Sequence, residues 1–110
     1  PTLRLSGINA RETDGSCRSG DPCPSPEAKW DDARDFLVGL VGTPTGGKSK
    51  HGHILVNGPT MDCLSVGGAG GDRTGAWCVS PKGGDLSCAM VESGLAAKWA
   101  KFWQGHVCQN

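Results

Sequence analysis

The chain is 110 residues long, which is enough for one domain with a single modest core. Its 18 glycines and 7 prolines favour short elements joined by many turns and argue against a helical bundle. Eleven basic and eleven acidic side chains cancel, so no global field attracts a polyanion, and any nucleic-acid binding must be local.

The N-terminal part predicts a strand, a loop and a helix. Residues 2–8 alternate apolar and polar side chains, which is typical of a strand with two leucines on one face and Arg4 on the other. Glycines and prolines mark residues 13–24 as a loop. Ser25, followed by proline, then predicts the N-cap of a helix whose apolar period continues to a stop at Gly42.

The rest of the chain predicts short strands and two further helices. Residues 42–53 are rich in Gly, Pro, Thr and Lys, which predicts a mobile surface loop. Apolar runs bounded by turn residues predict three strands, the last antiparallel to the one before it, over 54–56, 61–66 and 76–79. Asp85 caps a second helix that ends at Gly94. Aromatic side chains at i, i+3 and i+4 predict a third helix within 95–103.

An even number of cysteines in a short chain favours a disulfide framework and an oxidising compartment, so we expect a secreted or periplasmic protein. The six are Cys17, Cys23, Cys63, Cys78, Cys88 and Cys108. Zinc is the alternative, but no two of them have the CxxC spacing of a metal site. Many pairings are open, and we favour Cys63–Cys78 across a hairpin, Cys17–Cys23 around a short loop and Cys88–Cys108 between a helix and the tail. No apolar run approaches the ~20 residues that a membrane-spanning helix needs.

Four motifs occur in one order along nearly the whole chain. They are R-x-x-G-I-N-x-x-E at 4–12, P-E-A at 26–28, D-R-T-G at 72–75, and a stretch from D-L to E-S-G-L-A that covers 85–96. Each is weak alone. In this order they resemble the thermonuclease (staphylococcal-nuclease-like) family.

The resemblance implies an α+β fold: an OB-type barrel with two to three packed helices, of the kind that often handles oligonucleotides. Members of the family hydrolyse DNA and RNA with one calcium ion, a glutamate near the attacking water and two arginines on the phosphate. By this resemblance, Arg4 matches the first arginine and Glu12 the glutamate. Asn9 stands at a calcium-binding aspartate, and Ala10 stands where a backbone carbonyl binds the ion. The second arginine position falls on Ala76.

Several charges of the family's site are therefore absent. Calcium affinity depends on ligand charge, and loss of one pre-organised donor typically costs ~10²–10³ in rate. The sequence, treated as one domain over 1–110, also lacks the family's N-terminal strand hairpin with its further calcium aspartate. We expect the barrel to be incomplete, remodelled, or completed by a second chain or a dimer partner.

The leading hypothesis is an exported thermonuclease-like domain with absent or very weak nuclease activity, which acts as a binding module for nucleic acid or protein. It needs no cofactor. The first alternative is a metal-dependent phosphodiesterase that uses Arg4 and Glu12 with calcium. The second is a small secreted structural protein that does not contact nucleic acid.

The same residues also have purely structural interpretations. Arg4 and Glu12 can form an ion pair that holds the strand to the loop. Arg73 or Arg11 can replace the missing arginine, although a turn arginine is more often solvated. Asp72 is interpreted as a turn residue. The four tryptophans are interpreted as core rather than as base-stacking residues, and the basic loop over 48–53 as solvated.

Overall fold

The computed structural model describes residues 2–50, 52–68 and 73–108, apart from the side chain of Thr2. It is an α+β fold, as the sequence predicts. The strands are β1 (Thr2–Leu5), β2 (Ile8–Asn9), β3 (Thr43–Lys48), β4 (Ile54–Asn57), β5 (Asp62–Gly68), β6 (Arg73–Ser80), β7 (Gly84–Asp85) and β8 (Ala97–Lys98). The helices are α1 (Trp30–Val41), α2 (Leu86–Glu92) and α3 (Ala100–Trp103).

Strand β6 is the centre of the main sheet. It pairs in parallel with β1, antiparallel with β5, and at its C-terminal end antiparallel with β7. The antiparallel return of the strand predicted over 76–79 is thus confirmed. Because successive side chains of a strand point to opposite faces, Ala76 and Cys78 lie on one face and Trp77 on the other. Ala76 and Cys78 pack with Leu86 and with apolar side chains of α1.

Two small antiparallel sheets complete the strands: β2 with β8, and β3 with β4. Within residues 2–50, 52–68 and 73–108, no sheet closes on itself. The prediction of a loop over 42–53 is wrong for residues 43–48, which form β3. All six residues of β3 are exposed, so no apolar alternation marks the strand, and backbone pairing with β4 defines it instead.

Helix α1 begins later than the sequence predicts. The Ser25 carbonyl accepts the Ala28 N–H in a turn, and the helix begins at Trp30 with Lys29 as its N-cap. Ser25 is therefore not the cap, since the prolines before and after it favour a turn over a helix start. The predicted stop is confirmed, because the Gly42 N–H donates to the Val38 carbonyl as the C-cap.

The second helix is confirmed, and the third is shorter than predicted. The Asp85 carboxylate accepts the Cys88 N–H at 3.0 Å and caps α2. Gly94 follows the end of α2 with φ +80°. Within 95–103 only Ala100–Trp103 is helical, since residues 97–98 pair with β2 as β8.

Glycine is required where the chain leaves the main sheet between β1 and β2. Gly7 has φ +76°, and a Cβ there would lie 2.6 Å from the Trp77 ring and 2.8 Å from the Trp103 ring. Its carbonyl accepts the Trp99 N–H at 2.7 Å. The backbone therefore passes between two indoles, and only a residue without a side chain fits.

All three favoured disulfides are confirmed. Cys17 pairs with Cys23, Cys63 with Cys78 across β5 and β6, and Cys88 with Cys108, which ties the tail to α2. This framework is consistent with an oxidising compartment. In the described part of the chain, no helix has the length and apolar character to span a membrane.

Candidate functional site

Basic side chains gather on one face of the β1–β6 pair. Arg4 is aligned with Gly75, and Thr2 with Arg73. Laterally paired residues share a face, and so do residues two apart in one strand, so Arg4 and Arg73 are on the same face. Arg18, in the following loop, also acts electrostatically on Arg4. The Arg4 guanidinium carbon lies over the Trp99 ring, 5.8 Å from its centroid. We call Arg4, Arg18, Arg73 and Trp99 the Arg4 patch.

The charge of Arg4 is affected by its partial burial and by its neighbours. Burial, Arg73 and Arg18 lower the pKa of Arg4, whereas Glu12 and Asp21 raise it. An arginine stays charged at neutral pH even so, because its ordinary pKa lies far above neutrality. The Arg4 patch is therefore a local concentration of positive charge on a chain with no net charge. An anion placed beside Arg4 would relieve the repulsion between these arginines.

Asn9 makes structural contacts in this fold. It is buried in β2, and its Nδ2 donates to the Pro22 carbonyl at 2.8 Å. Its Oδ1 faces Arg4, whose Nη2 lies 3.5 Å away. The amide oxygen that the resemblance offers to a calcium ion thus lies next to a guanidinium, whose charge repels cations. Ala10 follows it, half-buried against the core cluster.

Glu12 and Arg4 lie in the same region but do not form an ion pair. Glu12 is exposed and acts on Arg4 electrostatically, yet no contact joins the two side chains among the residues described here. The carbonyl of Glu12 accepts the Gly15 N–H, and its own N–H donates to the Ser16 carbonyl. Its position is therefore set by the loop backbone, and its carboxylate faces solvent.

Arg11 is held by the loop that follows it. Its guanidinium donates to the carbonyls of Gly15, Pro24 and Ser25 at 2.9–3.2 Å. Its Nε is buried and has no hydrogen-bond partner among the described residues. Arg11 thus ties the loop together and is not available to replace an arginine at the patch, which leaves Arg73 as the exposed second arginine.

Ala76 faces away from the Arg4 patch. It is 1% exposed and aligned with Leu5, on the face that packs against α1 and α2. The position where the resemblance expects a second arginine therefore points into the core. Asp72, the interpreted turn residue, lies outside the described residues, as does His51 of the basic loop. In that loop Lys48 and Lys50 are exposed.

The four tryptophans divide between core and surface. Trp103 is buried at 9% exposure, as the core interpretation expects. Trp30 and Trp99 are half-buried and each lies beneath an arginine: Arg34 is 4.9 Å from the Trp30 centroid. Trp77 is half-buried under the C-terminal tail. Two of the four thus support surface cations rather than fill the core.

The sequence interpretation missed a second cluster. His106 Nε2 lies 2.6 Å from Asp85 Oδ2, and the His106 ring stacks on Trp77 with centroids 3.6 Å apart. The Trp103 Nε1–H donates to the His106 carbonyl at 2.9 Å. The predicted Asp85 cap and the favoured Cys88–Cys108 bridge together carried the signal, because a residue two before Cys108 must then lie near the start of α2.

Comparisons with models of protein families, with curated proteins and with solved structures found no match to this chain.

Proposed function

We propose that the protein is an exported thermonuclease-like domain that binds phosphodiester chains at the Arg4 patch and has absent or very weak nuclease activity. The observation that carries this proposal is that Arg4 and Arg73 lie on one face of the sheet, with Trp99 beneath Arg4. Arginine suits phosphate because its planar fork stays charged and donates two parallel hydrogen bonds.

The surroundings of the patch favour a single-stranded ligand. Contacts to phosphate oxygens position a nucleic acid, and an adjacent aromatic ring offers a base a stacking surface. The net charge of zero means that long-range attraction is weak, so binding depends on these few contacts and on low salt. We expect modest affinity with little sequence preference.

The same geometry argues against efficient cleavage. The Asn9 amide oxygen faces a guanidinium, and Glu12 is the one carboxylate that the resemblance leaves at the site. A calcium site with so few charged ligands is weak. The second arginine of the family has no counterpart at Ala76, which is in the core. Arg73 can bind phosphate, but it lies three residues before Ala76 in β6 and so does not occupy the position of the family's second arginine.

The proposed scaffold is an OB-type barrel in an open form. In the described part of the chain, β1 and β5 each pair on one side only, with β6. Strands from a second chain that pair with these edges would complete the barrel. The three disulfides support export to a periplasmic or extracellular space.

Binding is tested with a dye-labelled single-stranded oligonucleotide, followed by anisotropy at several salt concentrations. We expect Arg4→Gln to weaken binding by about tenfold, the loss of roughly one charged hydrogen-bonded contact. The slope of log affinity against log salt should also fall by about 0.7. Arg34→Gln is the matched control, because Arg34 is an exposed arginine on α1 that also lies over a tryptophan. Equal losses in both variants, or no binding by the wild type at low salt, would reject the proposal and favour a structural role.

Cleavage is tested with DNA and RNA in calcium, magnesium or manganese against EDTA. Glu12 is exposed and close enough to act on Arg4, which is the observation in favour of the phosphodiesterase alternative. We expect no metal-dependent cleavage. Cleavage that disappears in Glu12→Gln would establish the alternative instead.

A further inference from the structure

Three potential metal-binding side chains converge where the C-terminal tail meets α2. Asp85, Cys88 and His106 each offer one donor atom, and these atoms all lie within 4.8 Å of one another. Asp85 and Cys88 are 1% exposed, and His106 is half-buried. The Asp85 carboxylate has two oxygens. Oδ1 can continue to accept the Cys88 N–H as the helix cap, while Oδ2, which is hydrogen-bonded to His106, can bind a metal instead.

The disulfide partner of Cys88, Cys108, offers a fourth donor atom. While the disulfide exists, however, it prevents both sulfurs from binding a metal as thiolates. Cys88 Sγ is bonded to Cys108 Sγ, so neither sulfur is a thiolate while the bridge exists. A cavity of about 280 Å³, lined by Asp62, Trp77, Asp85 and His106 among others, opens beside the cluster. Cys108 is exposed near the end of the described chain, so a reductant can reach it.

We propose that reduction of the Cys88–Cys108 disulfide converts this cluster into a zinc site with Cys88, Cys108, His106 and Asp85 as ligands. Two thiolates, one imidazole and one carboxylate form a four-coordinate donor set that suits zinc, whereas calcium and magnesium prefer oxygen ligands. The tail would thus be attached to α2 in two alternative ways: by the disulfide when the two cysteines are oxidised, and by the zinc ion when they are reduced.

The chemistry balances with a dithiol as the reductant. The dithiol transfers two electrons and two protons to the disulfide and itself becomes a disulfide, leaving Cys88 and Cys108 as thiols. Zinc then displaces the two thiol protons to solvent and binds the thiolates. The His106–Asp85 hydrogen bond is replaced when each side chain binds the ion.

The test is a cobalt titration of the full chain, reduced under argon and freed of excess reductant. Cobalt(II) in a tetrahedral thiolate site shows sulfur-to-metal charge-transfer and intense d–d bands. We expect one cobalt per reduced chain, displaced by zinc, and none for the oxidised protein. Loss of a residue that only hydrogen-bonds to a metal ligand lowers metal affinity by roughly tenfold or more. Loss of a ligand itself should cost more, so we expect His106→Ala and Asp85→Asn each to bind cobalt at least tenfold more weakly than the reduced wild type.

Two control variants separate this site from others. Cys17→Ser/Cys23→Ser removes one of the two other thiol pairs, and Asp62→Asn removes a carboxylate that lines the same cavity without belonging to the cluster. Both should bind cobalt as the reduced wild type does. Wild-type affinity in His106→Ala or in Cys88→Ser/Cys108→Ser, or equal binding by the oxidised protein, would overturn the proposal.

Near-ultraviolet circular dichroism, recorded in parallel, covers the case in which reduction unfolds the chain. Zinc should then restore the native signal in the wild type but not in His106→Ala. If zinc restores neither or both, the proposal is wrong.

Discussion

Arg4 and Ala76 are near neighbours in the sheet, yet they lie on opposite faces of it. Arg4 is aligned with Gly75, and Ala76 is aligned with Leu5 in the core. A shift of one residue along a strand reverses the face, so a match by sequence position alone does not establish a shared site. The role of each residue here depends on which face of the sheet its strand position gives it, as much as on its identity.

Ala76→Arg is therefore expected to destabilise the fold rather than restore a site. The position is 1% exposed, so the variant must bury an unpaired charge and a long side chain. We expect the free energy of unfolding to fall by about 3 kcal/mol or more, measured by guanidinium denaturation. Leu64→Arg, at a 70% exposed position on the neighbouring strand, should change it by less than about 0.5 kcal/mol. A stable Ala76→Arg protein that cleaves nucleic acid would contradict this account of the sheet.

Asp14 gives a second expectation for a single residue. The Ser16 hydroxyl donates to its carboxylate at 2.6 Å and the Ser16 N–H at 2.9 Å, which holds the pKa of Asp14 below its ordinary value. A lowered pKa in the folded state means a contribution to stability that is present above the unfolded pKa. That contribution is lost as the pH falls through the folded pKa.

The Asp14 expectation is measured by NMR titration of the carboxyl carbon. Ser16→Ala should raise the Asp14 pKa toward its ordinary value, whereas Ser19→Ala, an exposed serine of the same loop, should leave it unchanged. An Asp14 that titrates at or above the ordinary aspartate value in the wild type would refute the hydrogen-bonded turn.

Several contacts that hold α2 in place meet at one side chain. Asp85 caps its N-terminus, pairs with Val79 through β7, and binds His106 of the tail. The cap, the sheet and the tail therefore meet at a carboxylate that is 1% exposed. A helix of seven residues is too short to be stable alone, so these contacts determine whether it forms.

Asp85→Ala should accordingly lower the free energy of unfolding strongly. Loss of the cap costs about 1 kcal/mol, and leaving buried partners unsatisfied adds about 1–3 kcal/mol. Thermal and denaturant unfolding should show a total loss of about 2–4 kcal/mol. Asp62→Ala, an exposed aspartate on β5, should be nearly neutral, and a similarly small effect of Asp85→Ala would mean that the tail and cap contribute little.

The elements that the sequence predicts well are those with local signals. Asp85 before an apolar run and Gly94 after it define α2 from neighbouring residues alone. Strand β8 has no such signal, because residues 97–98 are extended through pairing with β2, far away in sequence. The aromatic spacing that predicts a helix over 95–103 instead places Trp99 and Phe102 in edge contact around a single helical turn.

At the scale of the whole molecule, the disulfides join parts that the small core does not hold firmly. Cys63–Cys78 links the exposed strand β5 to the central strand β6, and Cys88–Cys108 holds the tail over Trp77. The predicted order of elements favoured these pairings among the many that were open, since it suggests cross-strand and helix–tail partners. The basic face was not predictable in the same way, since it needs the register of β1 with β6. The Cys88–Cys108 bridge places His106 near the start of α2, but the direct contact with Asp85 also depends on the path of the tail.

The three bridges should differ in their effect on stability. Their sequence separations are 6, 15 and 20 residues, and longer loops restrict the unfolded chain more. Replacing Cys88 and Cys108 with serine should cost about 3 kcal/mol or more, since it also releases His106. Replacing Cys17 and Cys23 should cost about 2 kcal/mol or less. Guanidinium unfolding of the double variants measures both, and the reverse order would show that the loop at 17–23 anchors the fold.

The stacking of His106 on Trp77 also has an optical consequence. A protonated imidazole in face contact with an indole accepts an electron from the excited ring, so this tryptophan should emit weakly when the tail is docked and His106 is protonated. Displacement of the tail by reduction, mutation or a partner would brighten it. The chain thus contains an intrinsic fluorescence reporter of its own C-terminus, and no dye is needed to follow that segment.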